Sequence, residues 1–592
     1  MEKKIMVEVW TPEETKRQII KGINYMTYWS YSIMNASSNK LNAVKNADYV
    51  YDSGMKEVLD DVLNMDLSSE KVRYALQTGL QCTGGVTLIM GPGGSGKSLI
   101  YKAIAHCVPR TLCLAPTGVA AYNLSAQGWG EMPYTVPPMT IHSGLNMPAH
   151  DYFFTNEIKS MKKKLSGGAW KSAVSGGKKN IDKCRYRLIL IDEISMVPPN
   201  LLDVLIAAAG ELEIPMILFG DPMQLRPIEV KYDPENPLAA SFASKYPGWN
   251  FFNSFGWMML QGTGAARTLV LDSVYRQSDP GFKSMLNRMR VNEPTESDWE
   301  LLASRAVQEP PNGSLVLCKR NSTVNRINTD YAGKRSLPLV LDRETMAVCD
   351  TKIQQRFRIL EGEMTEKDEL VYSVLKKERP FDARRVKDNP NMDILIAEVS
   401  RGTAQELERD NAGFSAFIRL YPGDRVMITK NMKTEARHLK GGKLEGGAAK
   451  VVNGMLGWYL GVADDRRRYS DGNPAFVLLD TGEVVLVPRA LFTKEVMRDN
   501  GKYEVVAEAE QYPLKMAYAM TYHKAQGLTL DKVHMILDGD RTNWQVEGLG
   551  YLGLSRCRTL EGLTISGLSR REFLEDGASK KFMAHSERFS IL

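Results

Sequence analysis

The feature that most constrains how this chain folds is a glycine-rich stretch at residues 91–98. Its residues are Gly91, Pro92, Gly93, Gly94, Ser95, Gly96, Lys97 and Ser98. Their spacing is that of a phosphate-binding loop, or P-loop. The apolar run Val86–Met90 precedes it, and the helix-like run Leu99–Ala105 follows it. Backbone N–H groups of such a loop turn towards a polyphosphate at the start of a helix, where negative charge is favoured. The stretch therefore predicts a strand–loop–helix unit that binds a nucleoside triphosphate.

Four side chains supply the chemistry that such a site needs. Lys97 is expected to reach the β- and γ-phosphates, and the Ser98 hydroxyl is expected to hold magnesium. Asp192 and Glu193 end the apolar run Arg187–Ile191, where ionised groups would be poorly placed unless they met a cation. We therefore predict that Asp192 holds magnesium through water. Glu193 is then expected to orient and activate the water that attacks the triphosphate.

Short apolar runs that end in loops recur along the chain and indicate buried β-strands with helices between them. The predicted strands are Val86–Met90, Thr111–Ala115, Arg187–Ile191, Pro215–Phe219, Thr268–Asp272, Lys532–Leu537 and Gly562–Ser566. They predict an α/β chain with two parallel-sheet halves and other segments inserted between them. Within the inserted part, Ala475–Pro488 has apolar runs on both sides of Asp480-Thr481-Gly482-Glu483. This pattern predicts a hairpin in a small β-module.

The composition bounds the class of protein. A length of 592 residues suggests about four domains at roughly 150 residues each. The composition, with 43% hydrophobic and 25% charged residues, excludes a disordered or fibrous chain. No apolar stretch approaches the roughly 18 residues of a membrane-spanning helix, and the first eight residues lack the apolar core of a secretion signal. The seven cysteines form no Cys-x-x-Cys pair and are expected to be reduced, mostly buried thiols. We therefore expect an intracellular protein of the cytoplasm or nucleus.

A series of further motifs occurs in a fixed order and resembles one known family. The motifs are Ala115-Pro116-Thr117-Gly118-Val119-Ala120-Ala121, Thr140-Ile141-His142-Ser143, Asp192-Glu193-Ile194-Ser195-Met196, Gly220-Asp221-Pro222-Met223-Gln224-Leu225, Tyr275-Arg276-Gln277, Val452-Asn453-Gly454, His523-Lys524-Ala525-Gln526-Gly527-Leu528-Thr529 and Leu554-Ser555-Arg556. This series is similar to that of the superfamily 1B, or RecD-like, DNA helicases, and most similar to their petite-integration-frequency branch. The similarity covers roughly residues 67–331 and 421–568.

The resemblance implies two RecA-like P-loop domains that clamp ATP and move 5′→3′ along single-stranded DNA. The expected organisation is a first RecA-like domain at 67–270 with a basic strand-separating insertion at about 144–187, a second RecA-like domain at 271–331 and 500–592, and an SH3-like β-module at 421–499. Two parts of the chain have no counterpart in the family pattern. They are a helical N-terminal extension at 1–66 and a charged insertion of unknown role at 332–420.

The motifs also imply roles for single residues. Gln224 is expected to sense the γ-phosphate, and Gly527 is expected to line the same nucleotide site. Arg276 and Arg556 are expected to reach the phosphoryl group that is transferred, a role worth roughly 10³–10⁵ in rate. The expected DNA contacts are Thr117, His142, His523, Thr529 and Asn453. Hydroxyl, amide and imidazole groups can bond the phosphate backbone without reading its sequence.

The chain departs from the family pattern at two single positions. Lys71 stands where the adenine-reading glutamine is expected, so we expect other nucleoside triphosphates to be accepted, with Gln77 as a substitute adenine contact. Arg226 stands where a proline is usual.

Residues 159–187 form a basic stretch, with ten Lys or Arg residues against one acidic residue. That stretch indicates either a phosphate-lined DNA path or a solvated face.

The sequence supports one main function and two alternatives. The main prediction is an ATP-dependent 5′→3′ DNA helicase of replication, recombination or repair, with ATP and magnesium as its cofactors. The alternatives are an RNA helicase of the same superfamily and a nucleotide-switched DNA-binding loader with little unwinding. Expected partners are single-stranded DNA, duplex junctions and, through the N-terminal extension, replication proteins. We expect the active form to be a monomer, and the compact organisation resembles that of phage- or virus-encoded members.

Overall fold

The structure is a computed structural model. It describes residues 9–22, 65–82, 85–125, 138–145, 186–227, 246–381, 384–386, 389–410, 413–463, 473–497, 503–537, 547–573 and 577–588. The chain forms two compact units. The first comprises Met1–Ala306, Gln526–Asp531 and Leu537–Leu592, and the second comprises Val307–Ala525 and Lys532–Ile536. The domain boundaries expected from the sequence stay predictions.

A six-stranded parallel sheet forms the centre of the first unit. Its strands are β1 (Val86–Met90), β2 (Thr111–Ala115), β3 (Met139–Thr140), β4 (Leu188–Ile191), β5 (Met216–Gly220) and β6 (Ala266–Val270). They lie in the order β3-β2-β4-β5-β1-β6, and Val86 of β1 is opposite both Met216 and Ala266. The five strands predicted here from apolar runs are confirmed, each within two residues of its expected bounds.

Helices cover both faces of this sheet. The helices of the first unit are 12–22, Glu70–Gln81, Lys97–Cys107, Gly118–Ser125, Ile141–Leu145, Pro199–Glu211, Phe255–Gly262, Pro280–Arg290, Glu296–Ser304, Leu549–Arg556 and Gly577–Arg588. Neighbouring residues of one strand enter different cores: Ile89 packs in the cluster of Leu76 and Ile104, whereas Leu88 packs in that of Leu202 and Trp257. Burial on both faces explains why these strands read as continuous apolar runs. Leu563–Ser566 is a further strand of this unit, and its first three residues are buried.

The described part of the N-terminal extension is helical, as the sequence predicts. The Thr11 hydroxyl caps the helix at 12–22 by accepting a bond from the Glu14 N–H at 3.1 Å. Ile19 of this helix is fully buried in the core of the first unit. Residues 23–64 of the extension and the basic stretch at 159–185 lie outside the described residues. Among the helices that the structure describes, none is long and apolar enough to span a membrane.

The second unit contains its own small parallel sheet. Leu315–Cys318 lies between Ala519–Thr521 and Val533–Ile536, so Val316 is opposite both Ala519 and His534. Asn321–Tyr331 follows the central strand as a helix. The strand predicted at Lys532–Leu537 is confirmed in shortened form, and so is the prediction of an α/β fold with parallel sheets in two halves of the chain.

A seven-stranded antiparallel sheet fills the rest of the second unit's centre. In spatial order its strands are Lys443–Val451, Met432–Lys440, Val484–Val487, Ala475–Leu479, Leu456–Val462, Arg425–Ile428 and Leu514–Met516. The predicted hairpin is confirmed, because Ala475–Leu479 pairs with Val484–Val487 across the expected turn. Beside this sheet, Ala490–Met497, Tyr503–Gln511 and Glu398–Arg401 form a smaller antiparallel sheet. The identification of this region as an SH3-like module stays a prediction.

The insertion at 332–420, charged and without a clear pattern in the sequence, is folded. Its elements are Pro338–Leu341, Arg343–Ala347, Thr351–Arg356, Arg358–Glu361, Glu366–Glu378, Arg384–Val386, Asn389–Ile396, Glu398–Arg401, Ala404–Asp410 and Phe417–Leu420. Leu339 and Val371 pack in one core with Phe476 and Leu478 of the antiparallel sheet. The insertion therefore buries its apolar residues against a segment about a hundred residues later, a partner that its own periodicity does not reveal.

One glycine of this sheet is required by a close approach of two backbones. Gly461 has a φ of +137°, and a Cβ added there would lie 1.8 Å from the carbonyl oxygen of Pro380. We expect Gly461→Ala to lower the free energy of unfolding by about 3 kcal/mol or more, because the backbones must separate. Gly482→Ala is the matched control, since Gly482 has a φ of +94° but open space around it. Equal denaturant midpoints for the two variants would contradict this explanation.

Candidate nucleotide site

The glycine-rich loop lies between β1 and the helix Lys97–Cys107, as predicted. Gly94 and Gly96 adopt φ of +85° and +83°, a conformation that turns successive N–H groups towards one side. The Lys97 Nζ donates to the carbonyl oxygens of Gly91 and Pro92, both at 2.8 Å. Burial lowers the pKa of Lys97 to about 8, with the charges of Asp221 and Glu193 opposing the shift.

The two predicted carboxylates follow β4 directly. Burial raises the pKa of Asp192 to about 7, the charge of Glu193 adds to this rise, and a hydrogen bond with Ser98 opposes it. A buried carboxyl beside a hydroxyl is a donor set that suits magnesium, which prefers oxygen ligands. Glu193 has a φ of 49°, a left-handed conformation that is uncommon outside glycine and often found at functional sites.

Gln224 lies just beyond the end of β5. Its side-chain oxygen accepts a hydrogen bond from the Arg556 guanidinium at 3.3 Å. The neighbouring Asp221 is fully buried and accepts from both Nε and Nη2 of Arg290, at distances of 2.8–3.1 Å. Although Gly220–Leu225 belongs to a recognised motif, neither the role of Asp221 nor its partner was expected from the sequence.

Two arginines meet beside the loop. The Arg276 guanidinium donates to the Ser555 carbonyl oxygen at 3.1 Å, and Arg556 is only 1% exposed. Burial lowers the pKa of both groups, that of Arg276 to about 10 with the charge of Arg556 adding to the shift. Across the described residues, neither guanidinium forms an ion pair with a carboxylate within 4.0 Å. Burying such cations is unfavourable unless an anion joins them, so this arrangement favours an anionic ligand.

These groups line one cavity of about 320 Å³ in the first unit. The predicted residues that line it are Gly93, Gly94, Ser95, Gly96, Lys97, Ser98, Asp192, Glu193, Gln224, Arg276, Gly527, Thr529 and Arg556. Thr529, expected from the resemblance to contact DNA, thus lies in the nucleotide cavity. Two polar side chains that contact residues of the cavity were given no role from the sequence. Asn123 donates to the Gly527 carbonyl oxygen at 3.0 Å, and Gln526 donates to Glu193 at 3.3 Å. For Gln526 the signal was present, because it lies within the quoted motif around Gly527.

The position of the missing adenine-reading glutamine is occupied by an ion pair. The Lys71 ammonium lies 2.9 Å from Oδ2 of Asp272. Gln77, the suggested substitute, is buried and accepts a bond from the Trp10 N–H at 3.0 Å, and it is not among the residues that line the cavity. The unusual Arg226 lies 3.4 Å from the Glu547 carboxylate.

The remaining residues expected to contact DNA lie in both units. In the first, Thr117 accepts a bond from the Ala120 N–H at 3.2 Å, and His142 is half-buried. In the second, His523 is half-buried, and the exposed Asn453 donates its N–H to Asn431. Burial lowers the pKa of both His142 and His523. Burial therefore disfavours the charged form of both imidazoles.

Residues 69–232 match the sequence model of a family described as "AAA domain". The chain is 24% identical to the ATP-dependent DNA helicase Pif1 of Bdellovibrio bacteriovorus over 88% of this chain and 93% of that protein. It is also 24% identical to the ATP-dependent DNA helicase PIF1 of Homo sapiens, over 80% of this chain and 57% of that protein. The resemblance to Pif1-type helicases of superfamily 1B is confirmed.

Solved Pif1 structures share the fold. A Bacteroides Pif1 bound to single-stranded DNA matches with a TM-score of 0.57 and 22% identity, over 88% of this chain and 98% of that one. Pif1 of Candida albicans matches with a TM-score of 0.55 and 20% identity, over 87% and 99%. The prediction of a RecA-like α/β helicase fold is therefore confirmed, and the nucleotide cavity belongs to a fold shared with Pif1 proteins.

Proposed function

We propose that this chain is an ATP-dependent DNA helicase that moves 5′→3′ along single-stranded DNA and unwinds duplex. The observation that carries the proposal is the pair of arginines, Arg276 and Arg556, beside the P-loop with no carboxylate partner among the described residues. Binding alone needs only the loop and Lys97. Two arginine cations beside the terminal phosphate would stabilise the negative charge that develops when that phosphate is transferred. The relatives named ATP-dependent DNA helicases support the same function.

Each residue of the cavity has a proposed part in hydrolysis. Lys97 neutralises charge on the β- and γ-phosphates, and Gln224 contacts the γ-phosphate. Glu193 orients the attacking water, and its hydrogen bond from Gln526 holds it in place. Ser98 and Asp192 are the residues that would hold magnesium, which would neutralise phosphate charge. Arg276 and Arg556 stabilise the transferring phosphoryl group.

The second unit presents a basic ribbon that suits the DNA backbone. Met432–Lys440 and Lys443–Val451 form a long hairpin in which Lys433 is directly opposite Lys450, and Lys440 is directly opposite Lys443. All four lysines are exposed. Like charges opposite one another destabilise a strand pair, and a phosphate backbone would relieve that repulsion. We propose that this hairpin and the nearby Asn453 contribute to DNA binding.

The expected domains have matching proposed roles. Residues 67–270 with 271–331 and 500–592 would supply the two RecA-like domains, and 421–499 would supply an SH3-like module that contacts DNA. The N-terminal extension at 1–66 is proposed to bind replication proteins. We place the activity in DNA replication, recombination or repair, as expected for a Pif1-like helicase.

Strand separation on tailed duplexes tests the proposal. Matched duplexes carry a 5′ tail, a 3′ tail or no tail, made of DNA or RNA, and are incubated with ATP and magnesium. We expect unwinding only from the 5′ DNA tail. Unwinding from an RNA tail would favour the RNA-helicase alternative, and unwinding from a 3′ tail would overturn the proposed polarity. Tail-stimulated hydrolysis without strand separation would favour the loader.

The Lys71–Asp272 ion pair leads to a prediction about nucleotide choice. Glutamine can bond adenine through both N6 and N7, whereas a lysine engaged by a carboxylate cannot make this pair of bonds. We therefore expect DNA-stimulated hydrolysis of GTP within about tenfold of ATP in kcat/KM. Lys71→Gln is expected to raise the preference for ATP, and Lys283→Gln, which changes a lysine of the helix Pro280–Arg290, serves as the control. A wild-type enzyme strictly selective for ATP would contradict this reading of the ion pair.

A further inference from the structure

A tyrosine hydroxyl joins the P-loop to the helix that carries Arg556. The hydroxyl of Tyr551 accepts the Gly93 N–H at 3.0 Å and donates to Oδ2 of Asp221 at 3.1 Å. Tyr551 is buried, with 5% of its surface exposed. A buried hydroxyl that accepts one bond and donates another has its orientation fixed by its two partners. This link spans 458 residues of sequence.

Asp221, which accepts the bond from the Tyr551 hydroxyl, is itself held by several hydrogen bonds. Asp221 is fully buried. Its Oδ1 accepts from Nε and Nη2 of Arg290 and from the Met223 N–H, and its Oδ2 accepts from Nε of Arg290 and from the Tyr551 hydroxyl. Burial disfavours its ionisation, but Arg290 outweighs this effect and leaves the pKa of Asp221 below its ordinary value. Asp221 is therefore an acceptor only, and the single proton of the Tyr551 hydroxyl must point to it. The lone pairs of the Tyr551 hydroxyl oxygen then accept the bond from the Gly93 N–H.

The same helix meets the P-loop again at its other end. Leu549–Arg556 is buried along its length, and a Cβ added at Gly93 would lie 3.5 Å from the Ser555 Cβ and 3.7 Å from an Arg556 guanidinium nitrogen. At its start, a Cβ at Gly548 would lie 2.9 Å from the Met223 carbonyl oxygen. These close contacts leave the helix little freedom to slide. Tyr551 adds a hydrogen bond that joins the helix to the loop at Gly93.

We propose that Tyr551 is a positioning residue: its hydroxyl sets the helix Leu549–Arg556 against the P-loop and thereby aims Arg556 at the transferred phosphate. The inference rests on the proposed hydrolysis and adds a residue for which no role was predicted from the sequence. Tyr551 acts through Arg556 and need not touch the nucleotide. A misplacement of about 1 Å in a catalytic group can lower a rate about 10²-fold, so the loss of one hydroxyl is expected to have a large effect on turnover.

The second unit offers a matched control with the same chemistry. The Tyr459 hydroxyl donates to Oδ2 of the buried Asp393 at 2.9 Å, and Asp393 pairs with the buried Arg356. Tyr459→Phe therefore removes a buried hydroxyl from an equivalent tyrosine–aspartate–arginine group that does not line the nucleotide cavity. Both tyrosine variants are expected to lose similar stability, because each removes one hydrogen bond to a buried aspartate that keeps its arginine.

The test measures DNA-stimulated ATP hydrolysis by the full chain and its affinity for ADP and for ADP with aluminium fluoride. Each protein is assayed at least about 15 °C below its own melting temperature, so that loss of folded protein does not enter the rates. We expect Tyr551→Phe to lower kcat about 10- to 100-fold, and to weaken the aluminium-fluoride complex by a similar factor. Affinity for ADP is expected to stay within about twofold, because Arg556 matters most in the transition state. Tyr459→Phe should leave all three quantities within about twofold of wild type.

A double-mutant cycle separates positioning of Arg556 from other roles. In an Arg556→Ala background, Tyr551→Phe should change kcat by less than about twofold, because the group that it positions is gone. A full additional fall in that background would overturn the inference, as would equal kcat for the Tyr551 and Tyr459 single variants. If the proposed function itself were wrong, the wild-type protein would show no DNA-stimulated hydrolysis. That result differs from each of the outcomes above.

Discussion

Lys97→Ala is expected to lower ATP hydrolysis by at least about 10²- to 10³-fold, the range found when one preorganised donor to a charged transition state is removed. The Lys97 ammonium lies among the loop carbonyls of Gly91 and Pro92, where it can turn to a phosphate chain without rearrangement of the backbone. Its pKa of about 8 leaves it mostly charged at pH 7. Hydrolysis in the presence of single-stranded DNA is the direct measurement.

Folding and DNA binding should survive this substitution. Lys97 forms no ion pair within 4.0 Å among the described residues, so removing its buried charge leaves no carboxylate without a partner. We expect the fluorescence anisotropy of a labelled DNA strand to show affinity close to that of wild type, and the thermal melt to stay cooperative. Near-normal hydrolysis by Lys97→Ala would mean that the assigned nucleotide site is wrong.

Arg556→Ala is expected to lower kcat by about 10³- to 10⁵-fold, with a much smaller change in the affinity for ATP. Arg556 is buried, bonds Gln224, and lies beside Gly93, so its charge is positioned where the terminal phosphate is expected. Arg556→Lys should remain poorly active, because an ammonium cannot reproduce the planar fork of the guanidinium.

Arg558→Ala is the matched control for this substitution. Arg558 lies two residues further along, is 60% exposed at its side chain, and pairs with Asp531 at 3.4 Å. An exposed pair of this kind contributes about 0–1 kcal/mol to stability, and we expect turnover within about twofold of wild type. If Arg558→Ala lowered kcat as much as Arg556→Ala, a general effect on this region would replace the specific role proposed for Arg556.

Local sequence was sufficient for the nucleotide-binding half of the site. The P-loop, its flanking strand and helix, and the pair Asp192-Glu193 are contiguous signals, since each depends on backbone geometry and burial within a few residues. The motif series then related Gln224, Arg276 and Arg556 to these groups only through resemblance to a family. The structure places them around one cavity, a fact that spacing along the chain could not supply.

What the sequence by itself determined is the class of fold and the kind of ligand: parallel sheets in two halves of the chain and a P-loop that faces a polyphosphate. Only the tertiary structure decided which distant groups meet there. Asp221 pairs with Arg290 across 69 residues and Gly93 bonds Tyr551 across 458, and the insertion at 332–420 packs on a sheet formed by later residues. The physical reason is that a strand or a loop follows from local sterics and apolar periodicity, whereas a buried polar pair forms only where the packing of several elements brings its two groups together.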